Sequence, residues 1–537
     1  MAFRENAHQQ LSVFDRVNRL TERERKTLEK SWAKVFADDI FTAIDETRFS
    51  VLYSEKASRP NTAVNVIVGA LIIKELFGLS DDEVVENLML DIHFQYALHT
   101  TSFAEQPLSD KSLSRFRKRC YAYEATTGID LFHDCICDLN YKIAKMMKLN
   151  PRIKRMDSLM IEANIKNMSR IELLYACAAH LARRIHRDRK EIDLGKLGHY
   201  CDSDDRNLVI YHSRDVDVDV RTKTIISEAE QLLTLCDEKL SETQEFQLLT
   251  RCLSEQTVIE DGKRRLMRKG KESPSPSSLQ NPSDPEATYR KKAGTKHIGY
   301  VANVVETVGE NGSVITDYQY ENNVYSDQHF LRDYLDRSER QERPVQIVAD
   351  GAYWDQSIRD AAREKNIEII NTALLGVAVP DIYADFVVND GGDEVLSCPN
   401  GCTPARCQHF KSTNQIKAYF SPASCRNCPH AAHCTVKIRS KSGLVVISRT
   451  AIERARQQRR MTGDTFQNWR RIRNGVESIP SILRNRFDVD KIPARGKIPS
   501  KFYFGTKISA VNFRKLFRFR KGLGWHPYNP IIAGNAN

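Results

Sequence analysis

Three acidic residues stand where a chain could hold divalent cations. Asp157 lies in Arg155-Met156-Asp157-Ser158-Leu159, a segment of strand-like content. Asp350 ends the apolar run Val345-Gln346-Ile347-Val348-Ala349 and is followed by Gly351-Ala352-Tyr353. Glu477 lies in Arg473-Asn474-Gly475-Val476-Glu477, with Arg473 four residues before it and Arg484 seven after, so a helix puts all three on one face. Carboxylates at the ends of central strands can converge over one edge of a sheet. Attack on a phosphodiester needs a strong oxygen nucleophile and stabilisation of the leaving oxygen. Two hard cations about 3.5–4 Å apart do both, and carboxylate oxygens are their preferred ligands. A single Asp is more often a surface charge or a cap, so the weight falls on the three together.

A second constellation is sulfur. Cys398-x3-Cys402-x4-Cys407 and Cys425-x2-Cys428-x5-Cys434 hold six of the 13 cysteines within 37 residues, with Pro399, Gly401, Pro422 and Pro429 for tight turns. Four thiolates in tetrahedral geometry would staple a loop-rich module that lacks a core. Structural zinc is the favoured reading; reduced thiols or a decayed site, and disulfides, stay open. Cys425, Cys428 and Cys434 are the expected ligands, with Cys398 as the fourth. Cys402, Cys407, His409, His430 and His433 compete with them. The other cysteines (Cys120, Cys135, Cys137, Cys177, Cys201, Cys236 and Cys252) sit mostly in apolar helical contexts and read as core.

Composition narrows the class. An odd cysteine count in a large chain argues against a disulfide framework. Hydrophobic residues make up 41% of 537, enough for about three domains with real cores. No apolar run reaches the roughly 18 residues of a membrane span, and the opening residues lack the apolar core of a secretory signal. A membrane or secreted protein is therefore not expected; a cytoplasmic one is. The net charge of +11 is uneven: residues 451–537 hold 19 Lys+Arg against 5 Asp+Glu, which leaves −3 on the rest. A basic lobe interleaved with Phe466, Trp469, Phe502, Tyr503, Phe504, Phe513, Phe517 and Phe519 suggests a folded surface for nucleic acid. No Gly-rich phosphate loop and no nucleophile elbow is present.

The elements that must position these residues follow from patterning. Residues 1–150 read as a helical, DNA-binding domain. It has a buried helix over Asn61–Phe77 closed by Gly78, and a helix opened by the capping box at Ser80 and running to about Leu98. A basic helix with Arg115 and Arg117 starts at Ser109 or Ser112. It resembles a helix-turn-helix, with an ordinary bundle as the equal alternative. Residues 151–375 read as the first part of an α/β unit with a helical insertion at about 168–266 and a flexible linker at about 267–290. Strands are expected over His297–Val308, Val314–Tyr320, Val345–Ala349 and Ile367–Ile370, with a hairpin turn at Gly309-Glu310-Asn311-Gly312. Helices are expected over Ser326–Leu335 and Trp354–Lys365. The Cys-rich insertion spans 376–440. Residues 441–525 complete the α/β unit with a basic helical stretch over Asp464–Phe487, and 526–537 form a tail.

From about Ser58 to Leu516 the sequence resembles Asp-Asp-Glu (DDE) transposases of bacterial insertion sequences. The resemblance rests on Ser58-Arg59-Pro60, Leu79-Ser80-Asp81 and Ser112–Arg117 in the helical domain. Asp157-Ser158 with Ile161–Asn164 looks like the first catalytic motif, and Val348–Tyr353 like the second. Asn474–Ser481, continuing to Arg495-Gly496, looks like the region of the catalytic Glu. The resemblance implies an RNase H-like mixed five-stranded sheet flanked by helices. It implies that Asp157, Asp350 and Glu477 bind two Mg²⁺ (or Mn²⁺) ions. It implies cleavage at element ends and transfer of the 3′ hydroxyl into target DNA. The partners would be double-stranded terminal inverted repeats and target DNA, with a homodimer in the DNA complex and a nucleoid-associated life in a bacterial or archaeal host. Of the relatives' Tyr-x2-Arg-x3-Glu-x6-Lys signature, Arg473 and Glu477 fit. Arg470 stands for Tyr and Arg484 for Lys, which still suits phosphate. Arg470, Arg473, Arg484, Arg495, Arg115 and Arg117 are the expected DNA contacts. Two other readings are a metal nuclease of the same fold without strand transfer and a domesticated, non-enzymatic DNA-binding protein.

Overall fold

The structure is a computed structural model. It describes residues 1–523 except 7–14, 55–59, 102–106, 213–216, 269, 271, 293, 375, 377 and 464. Ser58, Arg59, Asp464 and the tail at 526–537 lie outside the described residues.

The N-terminal helices form for local reasons. α1 (Val64–Phe77) is apolar nearly all round, is buried, and ends where Gly78 turns left-handed (φ 69°). The Ser80 hydroxyl accepts from the Glu83 amide while the Glu83 carboxylate accepts from the Ser80 amide, which opens α2 (Asp81–Leu90). The helix expected to reach Leu98 instead breaks at Asp91, whose carboxylate caps a new short helix, Ile92–Ala97. Ser109 caps α3 (Asp110–Thr127), and α4 (Leu131–Met146) leads into β1 (Ile153–Glu162).

Between β1 and the next long strand lie α5 (Arg170–Asp188), α6 (Val218–Thr234) and α7 (Gln244–Gln256). They close around a core of their own containing Leu174, Leu181, Ile226, Leu232 and Leu249. The segment after them, expected to be a flexible linker, is irregular but packed. Ser278, Leu279, Asn281 and Asp284 are buried. Asn281 donates to the Lys166 carbonyl, and Asp284 accepts from the Tyr300 hydroxyl and the Gly496 amide.

The chain then returns to the sheet with β2 (Thr295–Gly309) and β3 (Gly312–Asn322), joined at the expected tight turn. α8 (Asp327–Arg337), β4 (Val345–Ala349), α9 (Gln356–Glu364) and β5 (Ile367–Asn371) follow. The strand order is β3-β2-β1-β4-β5, with a short strand, Thr288–Lys292, beside the start of β2. The β3/β2 and β2/β1 pairs are antiparallel; β1/β4 and β4/β5 are parallel. One face packs Met156, Val305, Ile347 and Ile369 against Leu331, Leu335 and Ile358 of α8 and α9.

The Cys-rich insertion carries β6 (Arg406–Phe410), β7 (Gln415–Phe420) and β8 (Gly443–Ile447), paired in that order. Expected to lack a core, it has one: Phe386, Val395, Ile416, Phe420, Val445 and Ile447 are buried together. α10 (Arg449–Thr462), α11 (Thr465–Asn474), α12 (Ser478–Phe487) and α13 (Lys497–Arg520) complete the chain.

α13 corrects a reading of the sequence. Phe502, Phe504, Phe513 and Phe517 are not a DNA surface but core, shared with Phe36, Ile67 and Ile136 of the N-terminal helices and Tyr318 of β3. Three of its lysines are paired inside the fold, Lys501 with Glu124 and Asp130, Lys507 with Glu75, and Lys515 with Glu306, while Arg520 pairs with Asp39 at the surface. The N-terminal helices, one sheet face and the last long helix therefore make one continuous core.

Candidate active site

The parallel seam between β1 and β4 sets the site. Arg155 pairs with Val348 across it, so two residues on, Asp157 and Asp350 stand side by side. Backbone amides fix one oxygen of each carboxylate: Ser158 N donates to Asp157 Oδ1 (3.0 Å), and Ala352 N donates to Asp350 Oδ1 (2.8 Å). The loop carrying Asp350 is held from both sides. Asn371 of β5 donates to the Asp350 carbonyl (2.8 Å), and the Tyr353 hydroxyl donates to Asn303 on β2 (2.7 Å).

The other carboxylate oxygens point to one cation. Arg473 Nη2 lies 3.3 Å from Asp157 Oδ2 and 3.8 Å from Asp350 Oδ2. Arg473 Nη1 lies 3.5 Å from Glu477 Oε1. Three elements distant in sequence thus meet at one guanidinium, and Arg473 Nε and Nη1 are buried without a hydrogen bond. The carboxylates do not form a group with ligand atoms within 4.8 Å of one another; the guanidinium stands between them. Burial is the largest influence on Asp157 and lifts its carboxyl to about 6. Arg473 opposes that rise, while the neighbouring Asp350 charge adds to it.

Helix geometry decides where Glu477 sits. α11 lies on the sheet through Phe466, packed on Val348 and Ile370. Gly475 interrupts it, and Gly475–Glu477 form a tight 3₁₀ turn before α12. The helical stretch expected around Glu477 is present but tightened there: Asn474, Glu477 and Ser478 all keep a right-handed helical backbone. A Cβ at position 475 would run into the Arg155 guanidinium, which donates to the Ile472 carbonyl (2.9 Å). Pro480 falls in the first turn of α12, where its missing N–H costs nothing. Arg473 keeps 12% of its side chain exposed and Glu477 69%, so the Glu is the free arm of the site.

The other expected DNA contacts divide. Arg470 is exposed beside the site, over the Phe466 ring. Arg484 is also exposed and anchors to the Met160 carbonyl (2.7 Å) and Asp490 (3.1 Å). Arg495 is exposed and donates to the Asn164 carbonyl (3.0 Å). Arg115 is exposed on α3. Arg117 is the exception: it is buried, ion-paired with Asp81 and packed on Tyr503, so it serves the helix packing rather than a strand.

Of the cysteines, Cys398, Cys402, Cys425, Cys428 and Cys434 line one small apolar cavity of about 30 Å³ together with His430. The Cys398 amide donates to the Cys402 carbonyl (3.0 Å), which brings these two residues together. Cys407 is turned to the Val395 carbonyl (3.6 Å), and His409 pairs with Asn414 (3.2 Å).

Residues that sequence reasoning missed stand just below the carboxylates. Arg155 donates to Glu306 (2.6 Å), and Lys515 reaches the same carboxylate (2.8 Å). Nothing in their spacing, 151 and 209 residues apart, could have joined them.

Residues 23–119 match the family described as "Transposase domain (DUF772)", and residues 397–517 match "Transposase DDE domain". Two separate segments of the chain are thus similar to transposase families. The activity these families support is DNA transposition. The second match contains Glu477 and the cysteine cluster; Asp157 and Asp350 lie outside both. No curated protein sequence matches the chain. A chain of a piggyBac transposase synaptic complex with hairpin DNA is similar at 12% identity over 76% of this chain and 77% of that one, with a TM-score of 0.23. No helix among the described residues is long and apolar enough to cross a membrane.

Proposed function

We propose that the chain is a DDE transposase with an RNase H-like core that cuts DNA at element ends and joins the freed 3′ hydroxyl to target DNA. The observation that carries this reading is the meeting of Asp157, Asp350 and Glu477 on Arg473. The donor set fits hard divalent cations: three carboxylates face one guanidinium, and one oxygen of each Asp is already held by an amide, leaving the other to ligate. Asp157, Asp350 and Glu477 would hold two Mg²⁺ or Mn²⁺ ions, which supply Lewis acidity and a nucleophilic oxygen at neutral pH.

The chain's own residues do the rest. Asp157 is half ionised at about pH 6 and gains its full charge as the pH rises further. Arg473, freed from the carboxylates, offers a planar fork to the scissile phosphate. Arg470, Arg484 and Arg495 line the approach and hold the strand's backbone, while Arg115 gives a further contact. The cysteine cluster would hold structural zinc, with Cys398, Cys425, Cys428 and Cys434 as ligands and Cys402 as the competitor lining the same cavity, once the thiols, no three of which lie within 4.8 Å of one another, close around the ion. Two element ends must be processed together, so the working unit on DNA is a dimer.

The test uses the full chain with a duplex carrying the repeats that flank its coding region. Mg²⁺ or Mn²⁺ should yield both cut ends and joined products, and Asp157→Asn, Asp350→Asn and Glu477→Gln should each abolish them. Cutting without joining reduces the reading to a nuclease; retention of activity by all three variants overturns it.

A further inference from the structure

A second group of ligating side chains lies away from the seam, where α4 meets the outer strand β3. His133 and Cys137 are four residues apart on α4 and project from one face. Among the described residues β3 pairs only with β2, and the register shifts between Val305 and Glu306, so that Thr316 has no partner in the ladder. Asp317 follows that bulge directly and reaches the helix at the free edge of the sheet.

The three ligand atoms are close to one another. His133 Nε2 is 3.0 Å from Asp317 Oδ1 and 3.4 Å from Cys137 Sγ, and Cys137 Sγ is 3.5 Å from Asp317 Oδ1. Among the described residues this is the group of three whose ligand atoms all lie within 4.8 Å. Zinc bonds of about 2.0–2.3 Å at tetrahedral angles put neighbouring ligand atoms roughly 3.3–3.6 Å apart. The separations in the chain are close to that without rearrangement. His133 Nε2 also lies 2.9 Å from the Tyr318 carbonyl.

The surroundings match a metal-ligand shell. Asp134 Oδ1 stands 3.4 Å from His133 Nδ1, the far ring nitrogen, as the carboxylate behind a ligating histidine does. Arg337 donates to Asp317 Oδ2 (3.2 Å) and the Tyr318 amide donates to Oδ1 (2.8 Å), which leaves Oδ1 a second lone pair on the side of His133 and Cys137. An open cavity of about 550 Å³, lined by His133, Asp134, Tyr318 and Arg337, reaches the histidine side of the group.

We propose that His133, Cys137 and Asp317 bind one Zn²⁺ ion, which fastens the N-terminal helices to the edge of the sheet. This site is separate from the carboxylates and from the Cys398–Cys434 cluster, and it does not depend on the transposase reading. Cys137, read from sequence as a core residue, is then a ligand.

The experiment is zinc content per chain, measured on full-length protein reloaded after chelation and gel filtration. Cys137→Ser and Asp317→Asn should each lose one equivalent. A Cys425→Ser/Cys428→Ser background should keep that equivalent, and adding Cys137→Ser to it should remove it. Wild-type zinc content in both single variants overturns the proposal. Should those variants misfold, Co²⁺ titration of the Cys425→Ser/Cys428→Ser chain decides: a thiolate-to-cobalt absorption band at one equivalent supports the site, and its absence overturns it.

Discussion

Two clusters two residues apart on β1 use the same ingredients to opposite ends. At Arg155, two cations meet one anion: Arg155 and Lys515 both bond Glu306, which has no exposed surface. At Asp157, three anions meet one cation, and Glu477 is mostly in solvent. The first cluster has contacts of 2.6–2.8 Å; the second has contacts of 3.3–3.8 Å and leaves two Arg473 nitrogens without a hydrogen bond. Burial works against the Glu306 charge, yet Lys515 and Arg155 outweigh it and hold the carboxyl at about 2. At Asp157 burial prevails and the carboxyl rises to about 6. A saturated, short-bonded cluster supports a fold. An unsaturated one with surplus negative charge suits the proposed exchange of Arg473 for cations.

That contrast can be broken in several ways. Asp350→Asn should lower metal-dependent DNA cleavage by about a thousandfold, because a cation worth several kcal/mol loses a ligand, with little change in thermal stability. Glu306→Ala should do the reverse to the molecule: it strands two buried cations and costs about 3–5 kcal/mol in a denaturation experiment. Equal destabilisation by the two substitutions would erase the distinction.

The smaller effects sharpen it. Asp157 has a folded pKa above its unfolded value, so its ionisation opposes folding. The penalty is absent below about pH 4, grows as the pH rises, and is complete above about pH 6, where it reaches up to about 3 kcal/mol. With metal chelated, Asp157→Asn should therefore melt higher than the wild type at pH 7.5 and level with it at pH 4. Gly475→Ala should cost about 1–3 kcal/mol, since a methyl group there displaces Arg155, and urea titration measures it.

Much of the frame was legible in the sequence. β4 and β5 are short apolar runs between helical segments, and the turn at Gly309–Gly312 announces the β2/β3 hairpin. The capping box at Ser80 and the stop at Gly78 are chemical signals that act within a few residues. What failed depended on distant partners. Asn281 and Asp284 look like linker residues until Lys166, Tyr300 and Gly496 satisfy them. The aromatics of α13 look like a stacking platform until the N-terminal helices cover them. Arg117 looks like a DNA contact until Asp81 closes on it. In the candidate site, the residue types and order were legible. The need for a glycine at 475 was not, because it answers to Arg155, more than 300 residues earlier.

The central claim is that the three carboxylates hold divalent cations in place of Arg473. Mn²⁺ binding to the full chain, followed by electron paramagnetic resonance from pH 5 to 8, tests it most directly. The account predicts binding that strengthens through about pH 6, as Asp157 ionises, and that is lost in Asp157→Asn and Asp350→Asn. Binding of wild-type strength in both variants would contradict it.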